Sequence, residues 1–224
     1  MKENKLSATS RTKHHRLREQ GSEDRADLTA VLEAGFVAHL GLIVDGAPMV
    51  VPTSYGFDET NLFLHGSVAS RSLQDNPDSL ICVTITLVDG LVLARSVFEH
   101  GMNYRSAMIY GRPRLVSDSE EKLYGLRCLS EHIVPGQWDY VRQPSRKELA
   151  ATTLLAVSLA EASVKIRTGP PSDADSPDAE LGLWAGELPL IQTWGDPKPD
   201  PQLPADLKPP THIVVRGGQP AFGA

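Results

Sequence analysis

Two Asp-Gly dipeptides, Asp45-Gly46 and Asp89-Gly90, each separate apolar runs too short for a typical helix. They constrain the fold more than any other feature. Asp-Gly suits a two-residue turn that needs positive φ at both positions. Residues 36–44 and 48–55 therefore read as one β-hairpin, and residues 80–88 and 91–98 as a second. Residues 62–65, 105–110 and 113–116 add short strands, and 154–166, rich in Val, Leu and Ala, reads as a long one. Helices are few. Ser22-Glu23-Asp24 offers an N-cap to a short helix with Leu28, Val31 and Leu32 on one side and Gly35 at its end. A brief helix begins near Ser70 and is closed by Asp75-Asn76-Pro77. Residues 119–132 form an amphipathic helix with Leu123, Leu126 and Leu129 on one side, and residues 146–153 a weaker one. Short strands at regular spacing predict a mainly β protein, an antiparallel, closed or partly closed barrel decorated by helices. The strand–helix alternation of a doubly wound sheet is missing, and so are both common nucleotide fingerprints.

A chain of 224 residues with 41% apolar content can bury a substantial core without a disulfide or a structural metal. Cys82 and Cys128 lie far apart and form no C-x-x-C pair, which excludes a cysteine scaffold and a Cys-rich zinc site. The net charge of −6 argues against a nucleic-acid partner. No apolar stretch approaches the roughly twenty residues that span a bilayer. Residues 1–20 are basic and polar without the apolar core of a secretory signal. A reduced cytoplasm is the expected location, with no membrane partner.

Three segments follow. Residues 1–22 are a basic arm, with Lys2, Lys5, Arg11, Lys13, Arg16 and Arg18 around His14-His15. It is either a partly disordered tail or an arm that docks its arginines on an anion or a partner subunit. Residues 23–195 carry the barrel. Residues 196–224 are a proline-rich tail, expected to be extended or disordered.

The most informative local feature is His65-Gly66-Ser67-Val68-Ala69-Ser70-Arg71-Ser72, between a strand and a helix. Glycine permits a sharp turn, the hydroxyls can bond an anion, and Arg71 adds a fork suited to phosphate oxygens. The alternative is simple helix capping by serine. Asn103-Tyr104-Arg105-Ser106 enters a strand, and an arginine in an apolar ladder must face water or an anion. Lys165 and Arg167, two apart, share one face of a strand, as a solvated edge or as a second anion-binding stripe. Trp184 belongs to the core or stacks near a planar ligand. His39 falls on the wetter face of its strand, and His132 ends a helix. There is no nucleophile elbow and no evident Ser/His/Asp set, so no side chain stands out as catalytic.

Together these segments resemble the FMN-binding split-barrel family of pyridoxamine 5′-phosphate oxidase, in particular its branch similar to nitroimidazole-resistance proteins. The resemblance runs from about residue 11 to 190. It rests on residues 51–55, on His65-Gly66 with Ser70-Arg71, on residues 89–96 leading to His100 and 103–106, and on 135–138, 165–170 and 184–190. It implies a homodimer with FMN in a cleft between two six-stranded barrels. Ser70 and Arg71 match the family's phosphate pair, and His65 and Ser67 would line the same pocket. The backbone of Pro52, Thr53 and Ser54 would run beside the flavin ring. Tyr104, Arg105 and Ser106 fall where the family places flavin contacts, with Lys165, Arg167 and Trp184 as further contacts supplied by the facing subunit. The Arg-x-His pattern of authentic pyridoxamine oxidases is missing, so vitamin B6 oxidation is not implied.

The resemblance implies a flavin-dependent oxidoreductase passing electrons from NADH or NADPH to a small acceptor such as a nitroaromatic or quinone. The alternative is a binding module, sensor or carrier, for flavin (FMN or FAD), deazaflavin or haem, with His65 or His100 as the haem ligand.

Overall fold

The computed structural model describes residues 5–7, 9–66 and 79–221. Its strands are β1 (Gly21–Ser22), β2 (Ala38–Val44), β3 (Ala47–Thr53), β4 (Tyr55–Phe57), β5 (Asn61–His65), β6 (Ile81–Leu93), β7 (Gly101–Gly111), β8 (Arg114–Leu115), β9 (Leu154–Ser158), β10 (Ala162–Arg167) and β11 (Gly186–Pro189). All pair antiparallel. A seven-stranded sheet runs β1-β10-β7-β6-β2-β3, with β11 on β6, and a four-stranded sheet runs β4-β5-β9-β8.

Alternation builds the main core. Leu40 and Leu42 of β2, Val83 and Ile85 of β6, Ala107 and Ile109 of β7 and Val164 of β10 point inward. They meet Leu62, Leu64, Leu155 and Val157 of the small sheet and Leu28, Val31 and Leu32 of helix α1 (Arg25–Ala34). Asp24 caps α1, its carboxylate accepting from the Ala26 N–H at 3.0 Å. The small sheet is covered on its other face as well, where Phe63, Leu154 and Ala156 pack with Leu129 of helix α2 (Ser119–Ile133). Burial on both faces explains why β5 and β9 read as continuous apolar runs. The α2 backbone presses directly on β4: a Cβ on Gly56 would sit 2.5 Å from the Cys128 carbonyl carbon. The Tyr55 hydroxyl lies 2.8 Å from Leu32 O and 2.9 Å from Gly35 O and donates there.

The first expected hairpin is present: Asp45 and Gly46 take φ of 51° and 76° between β2 and β3. The second is not. β6 runs straight through Asp89-Gly90 as one 13-residue strand, with a bulge between Val88 and Gly90. Asp89 is the extra residue and its carboxylate holds Arg105. Gly90 lets β11 approach, since a Cβ there would lie 2.8 Å from Leu188 O. The long strand expected over 154–166 is two strands in different sheets, broken where Ser158 Oγ accepts from the Ala160 N–H.

The described parts of both terminal segments are folded against the barrel. In the arm Leu6 is buried, Arg11 grips Glu161 through two 2.9 Å hydrogen bonds, and β1 pairs with β10. At the other end the proline-rich tail returns on itself rather than running extended. The Trp194 N–H donates to Gln219 O at 3.0 Å, the Gly218 N–H to Trp194 O at 2.8 Å, and the Arg216 guanidinium lies 4.4 Å from the Trp194 ring centre. Trp194 in turn meets Phe36 edge-on. No helix among the described residues is long and apolar enough to cross a membrane.

Candidate functional site

The two sides of β7 do different things. Asn103, Ala107 and Ile109 face inward and are buried, whereas Tyr104, Ser106 and Met108 face outward. Register carries the outward rows across the sheet. Pro52 lies beside His39, His39 opposite Thr84, Thr84 opposite Met108, and Met108 opposite Ser163. The next row is Thr86, Ser106 and Lys165, and the one after it Val88, Tyr104 and Arg167. Five of the sequence-predicted residues, Pro52, Tyr104, Ser106, Lys165 and Arg167, thus share one open face.

Of its two cations only Lys165 is uncommitted among the described residues. Arg167 Nη1 donates to Asn103 Oδ1 and, at 2.7 Å, to Gly169 O, while Nη2 reaches Pro170 O at 3.1 Å. Its guanidinium closes the turn after β10. Past the bulge the face turns apolar, with Leu188, Leu91 and Met102 in one row, each about half exposed. At the other end burial pushes the Tyr110 hydroxyl up, opposed by Arg11, whose guanidinium lies 5.9 Å from the ring centre. Hydroxyls, one free ammonium, an aromatic ring and an apolar margin suit a flat, partly apolar ligand that carries an anionic group.

The remaining predicted residues are placed differently. Arg105 points to the opposite side from its neighbours Tyr104 and Ser106. The anion it meets is Asp89, and the pair forms one wall of a cavity of about 620 Å³. Asn103, which donates to Glu187 at 2.6 Å, and Leu190, Gln192 and Pro220 form other walls. Thr53 pairs with Ala38 in the inward row, its hydroxyl donating to Ser54 O at 3.1 Å. Ser54 marks the passage into the small sheet. The Tyr55–Leu64 pair makes Ser54 and His65 the next residues out on the two strands. His65 is exposed beside a shallow groove shared with Trp138 and Arg142. Ser67, Ser70 and Arg71 lie outside the described residues, between β5 and β6. Trp184 is 69% exposed, with its ring against Gly186, so it is not a core residue.

His100 Nδ1 accepts from the Ala94 N–H at 3.1 Å, which leaves the proton of the neutral ring on Nε2. Among the described residues no three His, Cys, Asp or Glu side chains gather as a metal site. The sequence reading missed Thr84 and Thr86. Their signal was there, since Cys82, Thr84 and Thr86 alternate with Ile81, Val83, Ile85 and Leu87, but the stretch reads as one apolar run.

Two antiparallel sheets sharing a core, with one open polar face, define a split barrel. The chain belongs to the pyridoxamine 5′-phosphate oxidase family, whose model matches residues 24–166. Among solved structures it is similar to the flavocytochrome Anf3 from Azotobacter vinelandii, with 36% identity and a TM-score of 0.87 over 96% of this chain and 100% of that one. It is also similar to the FAD- and haem-binding protein from Mycobacterium smegmatis, with 32% identity and a TM-score of 0.83 over 91% and 100%. A protein described as a putative 5-nitroimidazole antibiotic resistance protein, from Bacteroides thetaiotaomicron, shares the fold, at 23% identity and a TM-score of 0.55 over 65% and 86%. No curated protein matches the sequence.

Proposed function

We propose that this chain is a flavin-dependent oxidoreductase that seats FMN or FAD on the outward face of the large sheet. The observation that carries the reading is the row Thr86, Ser106 and Lys165, two hydroxyls and an unpartnered ammonium on an open sheet face. Near-full-length likeness to two proteins described as a flavocytochrome and as an FAD- and haem-binding protein supports it. A bound flavin supplies the hydride and single-electron chemistry, so the protein needs no general acid or base. Hydroxyls at Thr86 and Ser106 would bond the polar edge of the ring. Lys165 would favour its anionic, reduced form, and Arg71 would hold the phosphate. The half-exposed row Leu188, Leu91 and Met102 would be covered by a second copy of the chain, giving a homodimer. NADH or NADPH would be the donor, a nitroaromatic or quinone the acceptor, and the cytoplasm the setting.

A second reading adds haem, because one near-full-length relative is described as FAD- and haem-binding and the other as a flavocytochrome. His65 is the better axial ligand of the two expected. Its imidazole has no partner among the described residues, whereas His100 in its bonded tautomer has no lone pair on Nε2.

The absorption spectrum of the purified protein and the mass of its released cofactor test both readings. Two visible flavin bands support the first, and a Soret band lost in His65→Ala supports the second. A colourless protein that takes up neither FMN nor FAD would overturn the flavin assignment.

A further inference from the structure

We propose a second ligand site, for a small carboxylate with an aromatic body, in the open cavity between the C-terminal segment and the end of helix α1. The cavity measures about 450 Å³, and Phe36, His132, Trp194, Val215 and Arg216 line it. Arg216 carries the argument. Its guanidinium lies 4.4 Å from the Trp194 ring centre and 5.5 Å from that of Phe36, and the two rings meet edge-on at 5.4 Å. Ring contacts of this kind attract the charge but accept none of the five N–H groups of the fork. No oxygen among the described residues accepts from them either.

The other half-buried arginines of the described residues are placed differently. Arg25 donates to Glu59 O, Arg95 to Asp173, Arg105 to Asp89 and Arg167 to Gly169 O. Leaving a half-buried cation without an acceptor is costly. Burial pulls the Arg216 guanidinium below its ordinary value, and its charge opposes protonation of His132 on the same cavity. Glu33 is the one carboxylate on the lining; it is exposed and makes no ion pair with Arg216. The groups around Arg216 are fixed by the fold. Backbone bonds to Gly218 and Gln219 hold Trp194. His132 Nε2 lies 2.8 Å from Gly35 O, which sets its ring 5.9 Å from Phe36. His212 Nε2 stands 2.8 Å from Gln137 Oε1 and anchors the segment that carries Arg216. A carboxylate offers two oxygens to the planar fork. The apolar walls, Phe36, Trp194, Pro135 and Val215, then favour an aromatic body over a bare oxyanion.

Calorimetric titration of the purified full-length protein with benzoate tests this, with acetate, inorganic phosphate and the uncharged benzamide as comparisons. Benzoate is expected to bind saturably and more tightly than the other three. Arg216→Met keeps an apolar side chain against the two rings but removes the fork, and benzoate affinity is expected to fall about tenfold or more, the scale of losing a charge-assisted hydrogen bond. A second measurement needs no variant. Benzoate added to the wild-type protein should shift the NMR signals of the Trp194 indole and the His132 imidazole. Shifts confined to other residues would overturn the proposal. So would acetate, phosphate or benzamide binding as tightly as benzoate, undiminished affinity in Arg216→Met, or no saturable binding at all. The cavity is separate from the sheet face that carries Lys165, so Lys165→Ala is expected to leave benzoate affinity unchanged. Affinity lost in Lys165→Ala and kept in Arg216→Met would move the anion to the sheet face and sink this site while leaving the flavin assignment standing.

Discussion

Arg105 holds Asp89 through two hydrogen bonds, Nε to Oδ2 at 3.0 Å and Nη2 to Oδ1 at 2.7 Å. The pair locks the bulge that lets β6 continue past β2 and receive β11. Asp89→Ala leaves a half-buried guanidinium without its partner and is expected to cost about 2 kcal/mol. Urea unfolding measures the loss, and hydrogen exchange should show it as faster exchange in β11 than in β2.

Lys165→Ala is expected to weaken flavin binding about tenfold while leaving the urea midpoint unchanged, because its ammonium makes no hydrogen bond or ion pair among the described residues. Titration with FMN and FAD reads the affinity. Arg71→Ala is expected to act on the same scale, about 1.5–3 kcal/mol, if the flavin phosphate sits where the sequence motif places it. An unaltered affinity in Lys165→Ala would make that strand face a solvated edge.

Asp173 is 1% exposed and accepts from the Arg95 backbone N–H at 2.6 Å and from its guanidinium at 2.9 Å. It pins the acidic loop to the segment after β6. Asp173→Ala strands Arg95 and the amide together, and the expected cost is about 3 kcal/mol. Chemical denaturation measures it, and limited proteolysis should cut first within residues 170–182.

Burial among Phe36, Tyr55 and Phe57 holds the His132 imidazole below its ordinary value of 6.5, against the opposing pull of the Gly35 carbonyl. The folded state thus prefers the neutral ring, and the unfolded chain binds the proton more readily. Stability is complete above pH 6.5 and falls as pH drops from there toward the lowered folded value. Urea midpoints from pH 8 to 5 should show this fall, and His132→Phe should flatten it. The Arg114 and Arg11 guanidiniums hold the carboxyls of Glu121 and Glu161 below the usual carboxylate range, so these lose their contributions only in more acid solution.

Local chemistry was legible wherever a residue's role depends on its near neighbours. The Asp45-Gly46 turn, the Asp24 cap and the shared face of Lys165 and Arg167 follow from short-range geometry, and the structure has all three. Asp89-Gly90 has the same dipeptide but another outcome, because its role is set by Arg105 and Leu188, sixteen or more positions away. Trp194 finding Arg216, and Arg11 finding Glu161, are likewise long-range pairings that no window of sequence contains. Thr84 and Thr86 were hidden for a different reason. Threonine favours strands, so its hydroxyls do not interrupt an apolar run in the way a charge would.

Because successive residues of β7 serve the interior and the open outward face in alternation, a deletion of one residue near its start would exchange the two sets. Tyr104 and Ser106 would be driven inside while Ala107 and Ile109 came out. A frame error of that kind could not be repaired one property at a time, so insertions and deletions in this family should be confined to the loops at either end of the strand.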